Sequence, residues 1–355
     1  MNDAPEDEYL KGRGAQYNTH NPYAKHEYVQ EHFEGLDEPL QLVPHREVFL
    51  EHPKKIVNKI DSPDLPMPYS INPYQGCEHG CMYCYARNSH QYWGYSAGLD
   101  FESKLIAKPN APQLLEKRLQ SKSWKPAPIS LSGNTDCYQP LEKEMKITRQ
   151  LIAIFLKYGH PFSIITKNQL VLRDLDLLKP LAEQRLVHVY ISITTLDEEL
   201  RRKLEPRTAT GANRLKVVET LAKACIPVGV MTAPIIPGLN SQEIPQLVAK
   251  AAEAGASTVG YTMVRLNGSV GPLFQDWLEK NYPNRADKVW HQIESLHGGQ
   301  VNSSNFGERM RGQGIIAETI HQMYRAAKQK HFADRSMPEY DLKAFRRGGM
   351  QDLFA

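Results

Sequence analysis

The sequence predicts an α/β protein, an open, partial barrel of six βα units with an irregular N-terminal arm and a helical C-terminal extension. Three observations predict it. Short apolar runs, rich in β-branched residues, recur at Tyr69–Asn72, Pro128–Ser132, Phe162–Thr166, Val187–Thr194, Pro227–Ala233 and Thr258–Val264. Amphipathic stretches of helical period separate most of them. The runs at Pro128 and Phe162, like those at Pro227 and Thr258, begin roughly 30 residues apart, the length of a βα unit. Such alternation places a parallel sheet inside and helices outside. Six strands are too few to close an eight-fold barrel.

The elements follow in chain order. Residues 1–57 form the arm: the first part is rich in Glu, Asn, His and Tyr with no sustained period, and four prolines between Pro53 and Pro68 keep the lead into the core extended. Residues 58–271 form the barrel. Within it, Lys143–Tyr158 places Met145, Ile147, Leu151, Ile152, Ile154 and Phe155 on one apolar stripe. Arg173–Glu183, Asn213–Cys225 and Ser241–Ala254 behave alike, with Cys225 expected in the core. Residues 272–355 carry no strand signal; Leu273–Tyr282, Ala286–Leu296 and Ile315–Lys330 read as helices, and the tail after them is expected to pack loosely.

Composition narrows the class. The 355 residues are 41% hydrophobic and 23% charged, with a net charge of +3. That balance creates no strong field for nucleic acid or membrane. No apolar run approaches the ~18 residues of a membrane helix, and the acidic, polar start MNDAPEDEYLKGRG is unlike a secretory signal. The expectation is a cytoplasmic protein with reduced cysteines, where clustered cysteines mean metal or catalysis.

Three of the five cysteines, Cys77, Cys81 and Cys84, lie in NPYQGCEHGCMYCYAR with C-x3-C-x2-C spacing. An odd number suits disulfides poorly. A structural zinc wants four ligands, which His79 or Cys137 could complete. An electron-transfer iron–sulfur cluster takes four cysteines, and no fourth lies at local spacing. Three thiolates on a four-iron cluster leave one iron open to a substrate or cosubstrate.

This spacing after the first strand, with an aromatic residue just before the last cysteine, resembles the radical S-adenosylmethionine (radical SAM) superfamily. The wider runs SINPYQGCEHGCMYCYAR and GLDFESKLIAKPNAPQLLEKRL are similar to its spore photoproduct lyase-like branch, whose members are often labelled DNA-repair photolyase-like and mostly lack an assigned substrate. The resemblance covers roughly residues 58–267. It implies that Cys77, Cys81 and Cys84 ligate a 4Fe–4S cluster whose open iron chelates the methionine end of S-adenosylmethionine (SAM). One electron, from a donor such as flavodoxin or ferredoxin, then releases methionine and a 5′-deoxyadenosyl radical that abstracts hydrogen from the substrate.

The resemblance also implies the SAM contacts. Tyr83 lies near the adenine. Gly133, Asn134, Thr135 and Asp136, ending the second strand, occupy the place of the motif that binds the methionine amino group. Lys167, or alternatively Arg207, answers the carboxylate. Ser192 and Thr194 face the ribose, and Pro234–Leu239 holds adenine through its backbone. Polar residues at strand ends also cap helices.

The resemblance weakens at the substrate. The lyase's hydrogen-donor cysteine falls on Gly133, leaving Cys137 as a displaced donor or a buried thiol. Tyr85 with Tyr83 matches the lyase's radical-relay tyrosines, which also suits plain packing. Basic clusters at Lys122–Lys125, Arg325–Lys330 and Arg346–Arg347, with Trp124 and Phe345 beside two of them, suggest a nucleic-acid substrate, although acidic residues interleave them. Ser303–Gly314 brings two arginines among glycines, either an anion cradle or a lid. The alternative from another class is a non-enzymatic binding protein stapled by zinc or iron–sulfur.

Overall fold

The computed structural model describes residues 9–23 and 45–349. Six strands lie parallel and in chain order: β1 (Tyr69–Ile71), β2 (Ile129–Leu131), β3 (Phe162–Thr166), β4 (Val187–Ser192), β5 (Val228–Met231) and β6 (Thr258–Gly260). A two-residue strand, Asn58–Lys59, runs antiparallel to β1 at the far edge. β6 and this edge strand do not pair, so the sheet stays open. The register is regular, with Tyr69 opposite Ile129, Ile129 opposite Phe162 and Phe162 opposite Val187.

Ile129, Leu131, Phe162, Ile164, Val187, Val189, Ile191, Val228 and Val230 are all buried. These apolar residues alternate along their strands with others that include Ser130, Ser163 and His188, which are buried too, so both faces of the sheet are covered. One helix departs from expectation. The stretch expected as Lys143–Tyr158 is two helices, Glu142–Met145 and Ile147–Tyr158, broken at Lys146, which has φ +53. The buried Glu142 carboxylate accepts from the Thr148 N–H at 2.9 Å and the Arg149 N–H at 3.3 Å. These donors have no partner within their helix, so Glu142 caps the second helix from beneath.

The arm is less irregular than its composition suggests. Glu47–Leu50 is a strand, parallel to Lys104–Ala107, which pairs on its other side with Tyr74–Gln75. This three-stranded sheet carries the chain into the cysteine loop. Residues 24–44 of the arm lie outside the described residues.

Helices Val270–Asn281, Ala286–Leu296 and Gly314–Phe332 follow β6. The tail after them, as far as residue 349, is tied to the core. Arg335 donates to the Ala252 and Ala256 carbonyls, Tyr340 stacks on His188 at 3.9 Å, and the Arg346 N–H reaches the Tyr158 carbonyl at 2.9 Å. Trp124 is a core residue hydrogen-bonded to His160 at 3.1 Å, and Phe345 packs edge-on against the same imidazole. Neither aromatic of the basic clusters is therefore open to a nucleotide. Cys225 also departs from expectation: it is exposed, at φ +57, in the turn between helix Gly211–Lys223 and β5. No helix among the described residues is long and apolar enough to cross a membrane.

Candidate active site

The cysteine loop lacks secondary structure, so its backbone groups need other partners. Arg87, fully buried, supplies two of them and ties the loop to its neighbours. Its guanidinium donates to the carbonyls of Gly80, Cys81, Ala97 and Gly98 and pairs with Glu102 at 2.7 Å. Gln139 clamps the other side, donating to the Gly76 carbonyl and accepting from the Glu78 N–H, both at 3.0 Å. Gly76 and Gly80 have φ +75 and +67, a region where glycine carries no steric penalty.

The N-terminal segment closes the loop from behind. Glu102, buried, accepts from the Gly14 and Ala15 N–H groups at 3.1 and 2.8 Å. A Cβ on Gly14 would stand 1.8 Å from the Gly80 carbonyl oxygen, so only glycine permits this approach. Arg207 pairs with the same carboxylate at 2.9 Å.

In front of the loop opens a cavity of about 440 Å³ at the carboxyl ends of the strands, where open α/β sheets place their ligands. Cys77, Cys81 and Cys84 all line it, as do Tyr83, Tyr85, Gly133, Asn134, Thr135, Asp136, Lys167 and Ser192. Residues predicted from separate strand ends thus meet around one space. Burial pushes the Cys81 and Cys84 thiols up, the state expected of sulfurs whose deprotonation awaits a metal.

The turn after β2 is stitched to the loop. The Asn134 N–H donates to Asn72 Oδ1 at 2.7 Å, its side chain reaches Gln75 and Ser89, and Thr135 Oγ1 donates to the Tyr74 carbonyl. Ser132 sits at φ +82, an uncommon conformation for a residue with a side chain. Asp136 accepts from Thr166 Oγ1 and the Lys167 N–H, each at 2.8 Å, and pairs with His79 Nδ1 at 3.3 Å. Burial opposes ionisation of Asp136, but His79 and the backbone N–H groups of Lys167 and Tyr138 hold its carboxyl below the ordinary range.

A second buried network lies behind Tyr83. Its hydroxyl donates to Glu205, which also accepts from Thr194 Oγ1 at 2.7 Å and pairs with Arg214 at 2.5 Å. Burial would raise the Glu205 carboxyl, yet Arg214 and Lys167 bring it down to about 2. Lys167 Nζ stands 5.7 Å from the Tyr83 ring centroid. Burial disfavours its charge, but Cys81 and Glu205 outweigh that and raise its pKa.

Three of the residues singled out in the sequence, Arg207, Thr194 and Cys137, do not line the cavity. Arg207 does not line the cavity; it ties the N-terminal segment to Glu102 behind the loop. Thr194 is also outside, its hydroxyl spent on Glu205 and the Ala233 carbonyl. Cys137 is 0% exposed in the main core, its N–H on Ser132 Oγ and its carbonyl accepting from Thr148. In Pro234–Leu239 the Ile235 and Ile236 N–H groups are committed to Thr262 O and Asn240 Oδ1, so only Ala233 and Pro234 face the cavity there. Arg309, one arginine of Ser303–Gly314, is neutralised by Asp64 at 2.5 Å rather than free to hold an anion.

Sequence reasoning missed Arg87, Glu102, Glu205 and Arg214. Arg87 alone carried a signal, as an arginine inside the cysteine motif. The others are charges in ordinary loops and helices, which become visible only once burial demands a partner.

Residues 71–251, just over half of the chain, match the sequence profile of the radical SAM superfamily. The chain belongs to the radical SAM superfamily. It is 35% identical over 238 residues to an uncharacterized protein of Mycobacterium tuberculosis (strain H37Rv), covering 66% of this chain and 70% of that one. An uncharacterized protein of Methanocaldococcus jannaschii is 31% identical across 66% of this chain and 84% of its own length. Among solved structures, spore photoproduct lyase complexed with dinucleoside spore photoproduct has a similar fold. Its TM-score is 0.57 at 17% identity, over 80% of this chain and 79% of the lyase. Membership in the radical SAM superfamily implies SAM and an iron–sulfur cluster as cofactors.

The donor set fits that group. Three sulfurs face one cavity, and among the described residues no three His, Cys, Asp or Glu side chains close tightly enough for a single metal ion. Of the two side chains that could complete a zinc site, Cys137 lies in the core, whereas His79 lines the cavity with its Nδ1 paired to Asp136.

Proposed function

We propose that this radical SAM protein is a lyase-like or modifying enzyme acting on a bulky substrate, with nucleic acid carrying a lesion as the first class to test. Cys77, Cys81 and Cys84 hold a 4Fe–4S cluster at three of its irons. When bound, cluster and SAM supply a 5′-deoxyadenosyl radical for hydrogen abstraction, using one electron from a donor such as flavodoxin or ferredoxin.

The chain's own residues bind and orient. Lys167 answers the SAM carboxylate: among the described residues it makes no ion pair, and its ammonium faces the cavity beside Tyr83. Gly133, Asn134, Thr135 and Asp136 receive the methionine amino group. Ser192, which lines the cavity while Thr194 does not, takes the ribose. Tyr83, pinned by Glu205, presents a fixed face to the adenine. Tyr85, half-exposed with its hydroxyl on the Gly133 carbonyl, stands between SAM and the substrate.

One observation carries this reading: three cysteines line the same cavity as a lysine that, among the described residues, makes no ion pair. The spore photoproduct lyase structure, with its bound dinucleoside lesion, supports nucleic acid as a first class through fold alone. Anaerobically purified protein, assayed for iron and sulfide and examined by electron paramagnetic resonance, tests it. Adding SAM should change the spectrum of the reduced cluster. Zinc in place of iron, or a spectrum indifferent to SAM, overturns the reading.

A further inference from the structure

A groove of about 690 Å³ adjoins the cavity, and Tyr85 and Asn134 line both. Its far end carries Tyr23 and Tyr92, rings stacked at 4.8 Å and 30°, with 56% and 73% of their surfaces exposed. Among the described residues no Asp, Glu, Lys or Arg lines the groove; its polar groups are amides, hydroxyls and the His20 imidazole. Tyr85, 51% exposed, stands at the junction with its hydroxyl anchored on Gly133.

On the cavity side of that junction lies Arg265. Among the described residues it makes no ion pair and no hydrogen bond, whereas its neighbour Arg309 is satisfied by Asp64 and Ser62. Asp64 acts on its charge from a distance, but among the described residues the N–H groups of this half-buried guanidinium have no acceptor, an unfavourable arrangement unless an anion arrives. The groove and its junction with the cavity offer flat aromatic faces and one guanidinium that has no hydrogen-bond partner among the described residues. Those are the requirements of an unpaired nucleotide, whose bases stack and whose phosphate needs a cation. A peptide that adds a strand needs a free strand edge, and the residues lining the groove belong to turns and to the Tyr85–Trp93 3-10 helix.

We propose that this groove seats an extended single-stranded polynucleotide, with bases on Tyr92 and Tyr85, a phosphate at Arg265 and one nucleotide turned into the cavity. The proposal rests on the reading of the cavity as a radical SAM site and names how that site receives its substrate.

The test uses anaerobic holoprotein and fluorescein-labelled oligonucleotides of about twelve nucleotides, with fluorescence anisotropy as readout. Single-stranded DNA, single-stranded RNA and duplex DNA form the arms, each at two salt concentrations. Single strands should bind at least about tenfold tighter than duplex. Stacking contributes ~1–3 kcal/mol per base, so Tyr92→Ala should weaken binding by roughly 5- to 150-fold. Arg265→Gln should lower the salt slope by about one. The DNA and RNA arms say which polymer is preferred.

Tyr92→Ala and Tyr23→Ala should match the wild-type iron and sulfide content, which certifies their folding. Intact SAM cleavage with no single-strand binding, with preference for duplex, or with variants binding like wild type, overturns the proposal. Failure of SAM cleavage in the wild-type protein overturns the cavity reading instead, and the two failures are told apart in one preparation.

Discussion

Arg214 and Glu205 face each other at 2.5 Å, both buried, directly behind the tyrosine that lines the cavity. Removing one member of such a pair strands the other charge in a poorly solvated site. Glu205→Ala should therefore cost about 3–5 kcal/mol in urea unfolding. Tyr83→Phe removes only a hydrogen bond and should cost ~1 kcal/mol. Similar losses from both would show that the carboxylate does not depend on Arg214.

Acid should weaken the fold through His160. Burial pushes its imidazole down to about 4, only partly countered by the Pro161 carbonyl. The neutral ring donates from Nδ1 to that carbonyl at 2.9 Å and accepts at Nε2 from Trp124 at 3.1 Å. Its pKa is depressed on folding, so the stabilisation is complete above the ordinary value near 6.5 and is lost as pH falls through 4. In that window unfolding free energy should drop by about 1.4 kcal/mol per pH unit from this group. Urea titrations at pH 7 and 5 on wild type and His160→Gln check it; equal pH dependence in both would remove His160 as the cause.

Lys167 and Arg207 now part ways. Lys167→Met should weaken SAM binding about 10- to 100-fold, the value of a charge-assisted contact. Arg207→Gln should leave it within about twofold, because Arg207 points away from the cavity to Glu102. Equilibrium dialysis with SAM on the holoprotein decides, and the reverse ranking would return the carboxylate to Arg207.

The N-terminal segment should matter to the cluster loop. Gly14→Ala would force a methyl onto the Gly80 carbonyl, so the segment must lift and release Glu102. The variant should retain less iron per chain after air exposure than wild type. Identical retention would reduce the segment to a passive cover.

The six parallel strands were legible because each is a short run rich in β-branched or apolar residues and amphipathic helices separate most of them. The cysteine loop was legible from spacing alone. What stayed hidden depends on three-dimensional pairing. Nothing local separates Glu205, which pins Tyr83, from Glu199 on the preceding helix, which is exposed on its surface. Thr194 was expected at the ribose because it follows β4, but its hydroxyl turns to Glu205 and leaves Ser192 facing the cavity. Cys137 looked available beside the SGNTD turn, yet it packs into the core because its own backbone caps that turn from below.

The most direct test of the whole account is 5′-deoxyadenosine formed when reductant and SAM are added to anaerobic protein. Wild type should produce it, Cys81→Ala should lose both iron and product, and Cys137→Ala should keep both. Product from Cys81→Ala, or none from a wild-type protein that carries its iron and sulfide, would contradict the assignment of Cys77, Cys81 and Cys84 to a cluster that cleaves SAM.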